Sequence, residues 1–179
     1  LTPAAVPADE AWRLNRQAFL LYVLAEAGLG DTSATITLYE ARDRLDSYAR
    51  ALLALTLQRV DGGDTRLRGL LSDLNNAAIL SATGAHWEEA QRDWWNLNTD
   101  TRSTAIVLLA LARLDPENQL NANVVRWLMS ARTAQYWETR QETVWSVLAL
   151  TEWMDVTGEL QADYNYRITL NGNVLLADK

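Results

Sequence analysis

Two kinds of helical segment alternate along this sequence, and the alternation constrains the fold more than any other feature. The first kind is apolar around its whole circumference, which predicts a helix covered by protein on every side. It comprises residues 17–25, 51–57, 105–112 and 144–150. The second kind carries an apolar stripe opposite a polar face, as in residues 66–80 and 120–131 and, more weakly, 33–45. This order predicts seven helices stacked as hairpins, with one layer inside and the other facing solvent.

The composition agrees with a helical chain. Leu (30) and Ala (26) outnumber Val plus Ile (14), a mixture that favours helix over sheet. A closed α/α toroid and an open α-solenoid both satisfy the alternation. The triplet Leu-Ala-Leu recurs at residues 53–55, 109–111 and 148–150, at unequal separations of 56 and 39 residues, whereas regular solenoids keep periods of about 33–47 residues. We therefore predict an all-α fold, a partial α/α toroid of about seven helices in two layers with a short C-terminal β-hairpin.

Residues that favour helix ends stand between these segments. The predicted N-caps are Asp31, Ser47, Asp64, Thr99 and Asn118. Glycines at positions 28, 30, 62, 63, 84 and 158 are predicted to end helices, and a proline at position 116 breaks the chain after position 114.

A short pattern repeats in the two loops that lead into the third and fourth apolar segments. Each loop contains an aromatic-Trp-Glu sequence, His86-Trp87-Glu88 in one and Tyr136-Trp137-Glu138 in the other. A polar stretch and a threonine then precede the aliphatic run in both. The echo favours a fold built from repeated helical hairpins.

The pattern changes after residue 158. Residues 164–170 alternate with period two, Asn171-Gly172 is a strong type I′ turn signal, and residues 173–177 resume as a strand. Because an isolated hairpin is marginal in water, this one is expected to begin a β domain or to join a sheet formed elsewhere. The predicted division is a helical part over residues 1–159 and a β-hairpin over residues 160–179.

The absence of cysteine and the single histidine exclude several kinds of site. They remove disulfides, structural zinc sites, thiol nucleophiles and any Ser-His site not built on His86. Phosphate-binding loops, HExxH and Asp-rich DDxxD motifs are also absent. No catalytic residue, cofactor or metal ligand is therefore assigned, and we predict that the chain is not an enzyme. The net charge of −7 without a basic block argues against binding to nucleic acid.

His86 is expected to lie in a loop or at a helix start and to have a structural role, because the sequence offers it no partner that would make it a general base. The tryptophans offer two interpretations. Four are at helical positions and are predicted to be core: Trp12, Trp127, Trp145 and Trp153. Four others lie in the two repeated loops: Trp87, Trp94, Trp95 and Trp137.

The loop tryptophans pack the loops or, alternatively, form a platform on which sugar rings stack. Carboxylates near them in the sequence are Asp93, Asp100, Glu138 and Glu142. Two acids about 5–10 Å apart can hydrolyse a glycoside, although acids also occur at helix starts because they complement the helix dipole. A carbohydrate-active toroidal enzyme is therefore one alternative, and a helical-repeat interaction module is another.

Residues 126–150, RWLMSARTAQYWETRQETVWSVLAL, resemble the last helical hairpin of the thioester domain of bacterial alpha-2-macroglobulins. That family pattern has a Trp-Leu pair, an Arg, a Gly-aromatic-Trp turn and a polar stretch that runs into an Ala/Leu-rich helix. The matching residues are Trp127, Leu128, Arg132, Trp137, Thr139, Gln141, Glu142, Thr143, Ala149 and Leu150. Residues 100–116 look like the preceding inner helix, and residues 164–176 are similar to the strand by which the family's chain enters a β domain. The resemblance covers residues 87–176 well and the first 80 residues only in style.

The resemblance implies a large extracytoplasmic parent, periplasmic or at the cell surface, that entraps proteases. This chain would be a non-catalytic scaffold, the second half of the toroid, whose partners are the rest of the parent chain. Two departures are present: Gln135-Tyr136 replaces the family glycine, and no cysteine exists to form the Cys-x-Glu-Gln thioester. No thioester residue is therefore carried over. Half a toroid is expected to expose an apolar edge at its first helices, which predicts self-association or cover by the chain's own N-terminal segment.

Overall fold

The computed structural model describes residues 10–160, 166–171 and 173–178. Within those ranges the chain forms seven α-helices and two antiparallel hairpins. The helices are α1 (Ala11–Glu26), α2 (Thr32–Tyr39), α3 (Ser47–Val60), α4 (Arg66–Asn76), α5 (Asp100–Leu114), α6 (Asn121–Ser130) and α7 (Arg140–Val156). The strands are β1 (Ile79–Ser81), β2 (Gly84–His86), β3 (Tyr166–Leu170) and β4 (Asn173–Asp178). The predicted mainly helical chain with seven helices is confirmed.

The helices that the sequence marks as apolar pack against one another in a row. Helix α3 lies between α1 and α5, and α5 lies between α3 and α7. We call α1, α3, α5 and α7 the inner row. The amphipathic helices α2, α4 and α6 cover this row from outside, with α2 on α1 and α3, α4 on α3, and α6 on α5.

The core is centred on α3 and α5, which have neighbours on both sides. Most of their residues are buried, including polar Thr56 on α3 and Thr104 on α5. The Thr56 hydroxyl donates to the Leu52 carbonyl at 2.8 Å, so its burial leaves no unpaired donor. Burying each leucine of these helices contributes roughly 1.5–3 kcal/mol. Helices α3 and α5 are therefore surrounded by protein, as their Leu/Ala-rich sequences predict.

The two helices at the ends of the row are not covered on every side, and that part of the prediction is wrong. Helix α1 exposes an aliphatic stripe, which we call the α1 stripe: Leu20, Val23 and Leu24. Helix α7 exposes an equally spaced α7 stripe: Val144, Val147 and Leu148. Each of these six residues is between 42% and 55% exposed. The expected apolar edge on the first helix is thus present, and α7 carries a second.

The ends of the inner row approach each other across α5. Arg113 of α5 donates to Glu26 of α1 at 3.2 Å and to Glu152 of α7 at 2.6 Å. The hydrogen bond to Glu152 raises the pKa of Arg113. The rings of Tyr22 on α1 and Trp145 on α7 are 6.2 Å apart. The row therefore bends towards itself.

The repeated sequence pattern corresponds to a repeated set of contacts. The Trp87 indole N–H donates to the Leu74 carbonyl of α4 at 2.8 Å, and its backbone N–H donates to the Thr104 hydroxyl of α5 at 3.0 Å. In the second loop the Trp137 indole donates to the Leu128 carbonyl of α6 at 2.9 Å, and its backbone N–H donates to the Thr143 hydroxyl of α7 at 3.3 Å. Each tryptophan thus ties the end of an outer helix to the next inner helix.

Strands β1 and β2 were not predicted, and they change the placement of two residues. Gly84 does not end a helix: it lies in β2 with φ +137°. A Cβ there would overlap the carbonyl oxygen of Asn123 on α6, so the strand fits only with glycine at this point. His86 ends β2 and is buried, where the prediction placed it in a loop or at a helix start.

The predicted N-caps are correct at two helices and displaced at three. Asp31 accepts from the Ala34 N–H of α2, and Thr99 accepts from the Arg102 N–H of α5. Ser47 is the first residue of α3, since Asp46 occupies the cap position. The carboxylate of Asp64 and the amide oxygen of Asn118 accept from the N–H two residues later, at Arg66 and Leu120. They form turns before α4 and α6, and the cap positions are one and two residues further on.

Strands β3 and β4 form the C-terminal hairpin. The pairing places Ile168 opposite Leu176, and the register shifts between Ile168 and Thr169. Asn171 has φ +50°, as the type I′ prediction requires of the first turn residue. Three predicted features lie outside the described residues. They are Gly172 of the turn, the strand start at positions 164 and 165, and the N-terminal segment, residues 1–9, that is expected as one cover of the apolar edge.

Candidate functional site

The N-terminal ends of the inner helices meet beneath the loop of residues 87–99. From this loop, Glu89 accepts from the Ser47 N–H at 3.1 Å and the Tyr48 N–H at 3.4 Å, at the start of α3. The Ser103 hydroxyl of α5 also donates to Glu89, at 2.7 Å. Thr99 donates to Glu142 of α7 at 2.6 Å. One polar network therefore joins this end of the inner row.

Asp93 is the centre of this network and is buried. Its Oδ2 accepts from the Tyr48 hydroxyl at 3.0 Å, from Asn15 Nδ2 at 3.1 Å and from Asn96 Nδ2 at 2.6 Å. Its Oδ1 accepts from the Asn96 backbone N–H at 3.1 Å. Both carboxylate oxygens are thus committed to holding the loop against α1 and α3.

Asp46 shares the Asn15 amide with Asp93. Asn15 Nδ2 donates to Asp46 Oδ2 at 2.8 Å, and the Asp46 backbone N–H donates to Asn15 Oδ1 at 3.0 Å. Burial, and next the negative charges of Glu89 and Asp93, raise the pKa of Asp46 to about 7. The Asp46 carboxyl group therefore exchanges a proton near neutral pH.

Arg102 of α5 places a buried guanidinium below the acidic residues. It lies 4.8 Å from the Tyr48 ring and 5.8 Å from the Trp145 ring, and it donates to Asn98 Oδ1 at 2.9 Å. Burial lowers the pKa of Arg102 and, with the neighbouring Asp93, raises that of Tyr48. The cation joins α3, α5 and α7 through two aromatic faces and offsets part of the acidic charge.

The four carboxylates that the sequence suggested for a glycosidase have unequal surroundings. Asp93 and Glu142 are buried, and Glu142 completes a capping box by accepting from the Thr139 N–H at 2.9 Å. Asp100 accepts from the Glu89 N–H at 3.1 Å. Glu138 is exposed. All four border one pocket of about 300 Å³ together with Glu89, so the structure brings them together, but mainly as helix caps and loop braces.

The loop tryptophans divide into two buried and two exposed residues. Trp87 and Trp137 are buried, so they pack the loops and offer no face to a sugar. Trp94 and Trp95 are 67% and 69% exposed. Trp95 stacks on Trp12 of α1 with ring centroids 5.3 Å apart, and both border a cleft of about 430 Å³ that also contains Asp46. Of the four tryptophans predicted to be core, Trp145 is buried, whereas Trp12, Trp127 and Trp153 are only partly buried.

His86 has a structural environment on the other side of the loop. Its ring stacks on Trp127 of α6 at 4.7 Å with an interplanar angle of 2°. Its Nε2 lies 3.0 Å from Glu88 Oε1. Neither of these contacts involves the Asp93 network. The stacking on Trp127 fixes the β1–β2 hairpin to α6.

Sequence reasoning missed Asn15, Asp46, Tyr48, Glu89 and Arg102. Their contacts with Asp93, or with one another, join residues that are far apart in the sequence. Asn15, for example, contacts Asp46, 31 positions away, and Asp93, 78 positions away. The sequence around them gave no distinguishing signal, because Asn15 is followed by Arg16 and Gln17, and Arg102 lies in the polar stretch of residues 100–104.

Within residues 10–160, 166–171 and 173–178, no group of three acidic or histidine side chains has a geometry that could hold a metal ion. None of the helices in those ranges combines the length and apolarity needed to cross a bilayer. The sequence matches no protein-family model and no curated protein.

Proposed function

We propose that this chain is a non-catalytic helical scaffold, half of an α/α toroid in a protease-trapping protein of alpha-2-macroglobulin type. The parent would act as an endopeptidase inhibitor outside the cytoplasm, in the periplasm or at the cell surface. The chain's direct partners would be the remaining helices of the toroid and the adjacent β domains. Proteases would be partners of the whole parent.

The observation that carries this proposal is the pair of aliphatic stripes at the two ends of the inner row. The α1 stripe and the α7 stripe each have three exposed branched aliphatic residues at positions i, i+3 and i+4. That spacing is the face with which a helix packs on another helix. Helices α3 and α5 bury their equivalent faces against neighbours. Further inner helices at both ends would cover the stripes, as the remaining half of a toroid requires.

Residues 126–150, which resemble the alpha-2-macroglobulin hairpin, make contacts that suit a scaffold. Trp137 anchors its turn to Leu128 of α6, and Thr139 with Glu142 caps α7. Thr143 receives the Trp137 backbone N–H. These contacts fix the geometry between an outer and an inner helix, so the matching positions support a structural motif rather than a reactive one.

The state of the buried carboxylates also supports a non-catalytic role. A glycosidase needs one carboxyl group to give a proton and a second to attack or to activate water. Asp93 and Glu142 use their oxygens to accept hydrogen bonds from the fold itself. Breaking those bonds during a reaction would loosen the loop and the start of α7.

The proposal is tested on the whole parent protein. Reading the gene on both sides of these 179 residues should extend the toroid upstream and show β-rich domains downstream. The purified parent, incubated with trypsin, should leave the enzyme active on a small chromogenic amide and inactive on casein, because trapping shields the protease from large substrates. Heat-denatured parent is the control. A gene that ends near residue 179, or trypsin that cleaves casein unhindered, would contradict the proposal.

The stripes are tested on the chain itself by sedimentation velocity. The isolated chain should self-associate with rising concentration through its apolar edges. Leu24→Glu and Val147→Glu should each reduce that association, since each places a charge in one stripe. Leu80→Glu is the matched control because Leu80 is an exposed leucine on β1, outside both stripes. Equal behaviour of all three variants would show that the stripes are not association surfaces.

The carbohydrate-active alternative keeps one observation in its favour, the cleft in which exposed Trp94 and Trp95 stand near Asp46. Exposed indoles stack on sugar rings, and a carboxyl group with a pKa of about 7 is a possible general acid. Titration of the chain with soluble glucan, xylan and chitin oligosaccharides, followed by tryptophan fluorescence, tests it. A shift that is lost in Trp95→Ala would favour this alternative, and silence across the panel would remove it.

A further inference from the structure

A second surface feature lies where the loop of residues 87–99 meets the start of α7. A groove of about 450 Å³ runs there, and we call it the Trp94 groove. Its lining residues are Arg92, Trp94, Leu97, Asn98, Thr99, Thr139, Arg140 and Gln141. Its apolar walls are Trp94 and Leu97, which are 67% and 66% exposed.

The loop that presents these two side chains is braced and locally strained. Leu97 has φ +53°, in the left-handed region that leucine rarely occupies. On either side of it, the Asn98 N–H donates to the Asp93 carbonyl at 3.0 Å and the Asn96 side chain donates to the Trp12 carbonyl at 2.8 Å. Strain of this kind persists where the surroundings enforce it, and it is concentrated at functional sites. The loop is thus held in one shape while two large apolar side chains face solvent.

Two arginines flank the groove without a carboxylate partner. Arg92 lies 4.2 Å from the Trp94 ring centroid, and Arg140 is the first residue of α7. Across the described part of the chain, neither one forms an ion pair, whereas Arg66 and Arg113 do. The protein has an excess of acids and a net charge of −7. The groove therefore carries two positive charges without a carboxylate partner, whereas the protein as a whole is negatively charged.

Five acidic residues border the adjoining pocket, which shares Arg92 with the groove: Glu89, Asp93, Asp100, Glu138 and Glu142. All of them except the exposed Glu138 accept hydrogen bonds from the fold itself. Among the described residues, none of the five forms an ion pair with Arg92 or Arg140. The N-terminal end of the 17-residue helix α7 adds a partial positive charge beside Arg140. The groove thus pairs apolar walls with a cationic rim.

We propose that the Trp94 groove binds an acidic peptide segment of a protein partner, with one large apolar side chain seated on Trp94 and Leu97. Its flanking aspartates or glutamates would pair with Arg92 and Arg140. Tryptophan and arginine are the residues that most often dominate binding energy at protein interfaces. A rigid loop also lowers the entropic cost of association. The shallow walls, exposed by two thirds, suit a peptide side chain better than a long acyl chain, which needs an enclosed tunnel. None of its lining residues belongs to a stripe, although Arg140 precedes Val144 by one helical turn, so the groove adjoins the α7 stripe. Peptide binding at the groove does not require the toroid.

A random peptide library displayed on phage and selected against the immobilised 179-residue chain tests the proposal. Selected sequences should combine a large apolar residue with aspartate or glutamate. The best peptide, synthesised with a fluorescent label, is then titrated by anisotropy. Trp94→Ala and Arg140→Glu should each raise its Kd at least about tenfold, as loss of an interface hot spot does. The control is Arg132→Glu, which changes another exposed arginine outside the groove.

Circular dichroism and thermal unfolding should be the same for all variants, because the replaced side chains are exposed. Selection of basic peptides, or affinity that survives both groove substitutions, would overturn the proposal. A dimer of the chain that Trp94→Ala abolishes would assign the groove to a second copy and would overturn it as well. A failure of the protease-trapping assay would not bear on this result, since that assay uses the parent protein and the peptide titration uses the 179-residue chain.

Discussion

The hydroxyl of Thr104 lies between the two backbone polar groups of Trp87. It accepts from the Trp87 N–H at 3.0 Å and donates to the Trp87 carbonyl at 3.4 Å. Both residues are fully buried, so neither backbone group can turn to water instead. The loop of residues 87–99 thus enters the core through one threonine side chain of α5.

Thr104→Val should lower the free energy of unfolding by about 2–4 kcal/mol, because it leaves a buried N–H and a buried carbonyl without a partner. Thr104→Ser retains the hydroxyl and should cost only about 1 kcal/mol, for the lost methyl group. Urea unfolding followed by tryptophan fluorescence measures both. Thr151→Val, at an exposed position of α7, should stay within about 0.5 kcal/mol of the parent chain. Equal losses for the valine and serine variants would show that the hydroxyl is unimportant.

Leu109→Ala should destabilise the chain by about 2–5 kcal/mol, because it removes a buried side chain and leaves a cavity. Leu109 is 2% exposed. Leu148 is its matched control, since it is the first leucine of the same Leu-Ala-Leu triplet on α7 but is 49% exposed. Leu148→Ala should cost less than about 1 kcal/mol. A small loss at Leu109 would mean that α5 is not the centre of the core.

Asp46→Asn should change how stability depends on pH. The carboxyl pKa is raised from 3.8 to about 7 in the folded chain, so the folded state holds a proton that the unfolded state releases. The free energy of unfolding therefore falls as pH rises through that window. The asparagine variant, which still accepts from Asn15, should match the parent chain below the window and be more stable above it. Its advantage at pH 8 should be on the order of 1–2 kcal/mol after allowance for solvent screening.

Urea titrations at several pH values between 4 and 8 measure this difference. Asp43→Asn, which removes an exposed carboxylate three residues earlier, is the control. An Asp46→Asn profile parallel to that of the parent chain would show that Asp46 titrates normally.

Gly84→Ala should cost at least about 2 kcal/mol, from backbone strain at φ +137° and from overlap with the Asn123 carbonyl. Gly63→Ala is the matched control, because a Cβ there meets no atom closer than 3.7 Å. Thermal unfolding measures both, and near-ultraviolet circular dichroism reports whether the stacked Trp127 moves with the hairpin. A Gly84→Ala chain as stable as Gly63→Ala would contradict the packing of β2 on α6.

The helices were predictable because their signal is local. The spacing of Leu70 and Leu74 on α4, or of Val124 and Leu128 on α6, is present in a few turns of sequence. The solvent exposure of Val144 and Val147 was not predictable. An apolar residue gives the same sequence pattern whether or not a neighbouring helix packs on it. The β1–β2 hairpin was missed for a related reason: its short strands depend on the fit of Gly84 against a distant helix.

The candidate site was predicted only as a collection of acids and tryptophans. That Thr99 caps α5 follows from local sequence, because a cap acts on the residues next to it. Asp93 accepts hydrogen bonds from the Tyr48 hydroxyl and the Asn15 amide. These bonds depend on the positions of α1 and α3 in the folded chain, which local sequence does not give. The sequence therefore indicated which residue types matter, and only the structure separates Trp87 in the core from Trp94 in solvent.

The two stripes at the ends of the inner row are unlike surfaces on one molecule. Contact between the α1 stripe of one copy and the α7 stripe of the next would not be two-fold symmetric, so it would close into a ring or grow into an open filament. The reach of Arg113 to both Glu26 and Glu152 bends the row, and a bent subunit favours closure. The isolated chain at high concentration is therefore expected to form small rings rather than fibres.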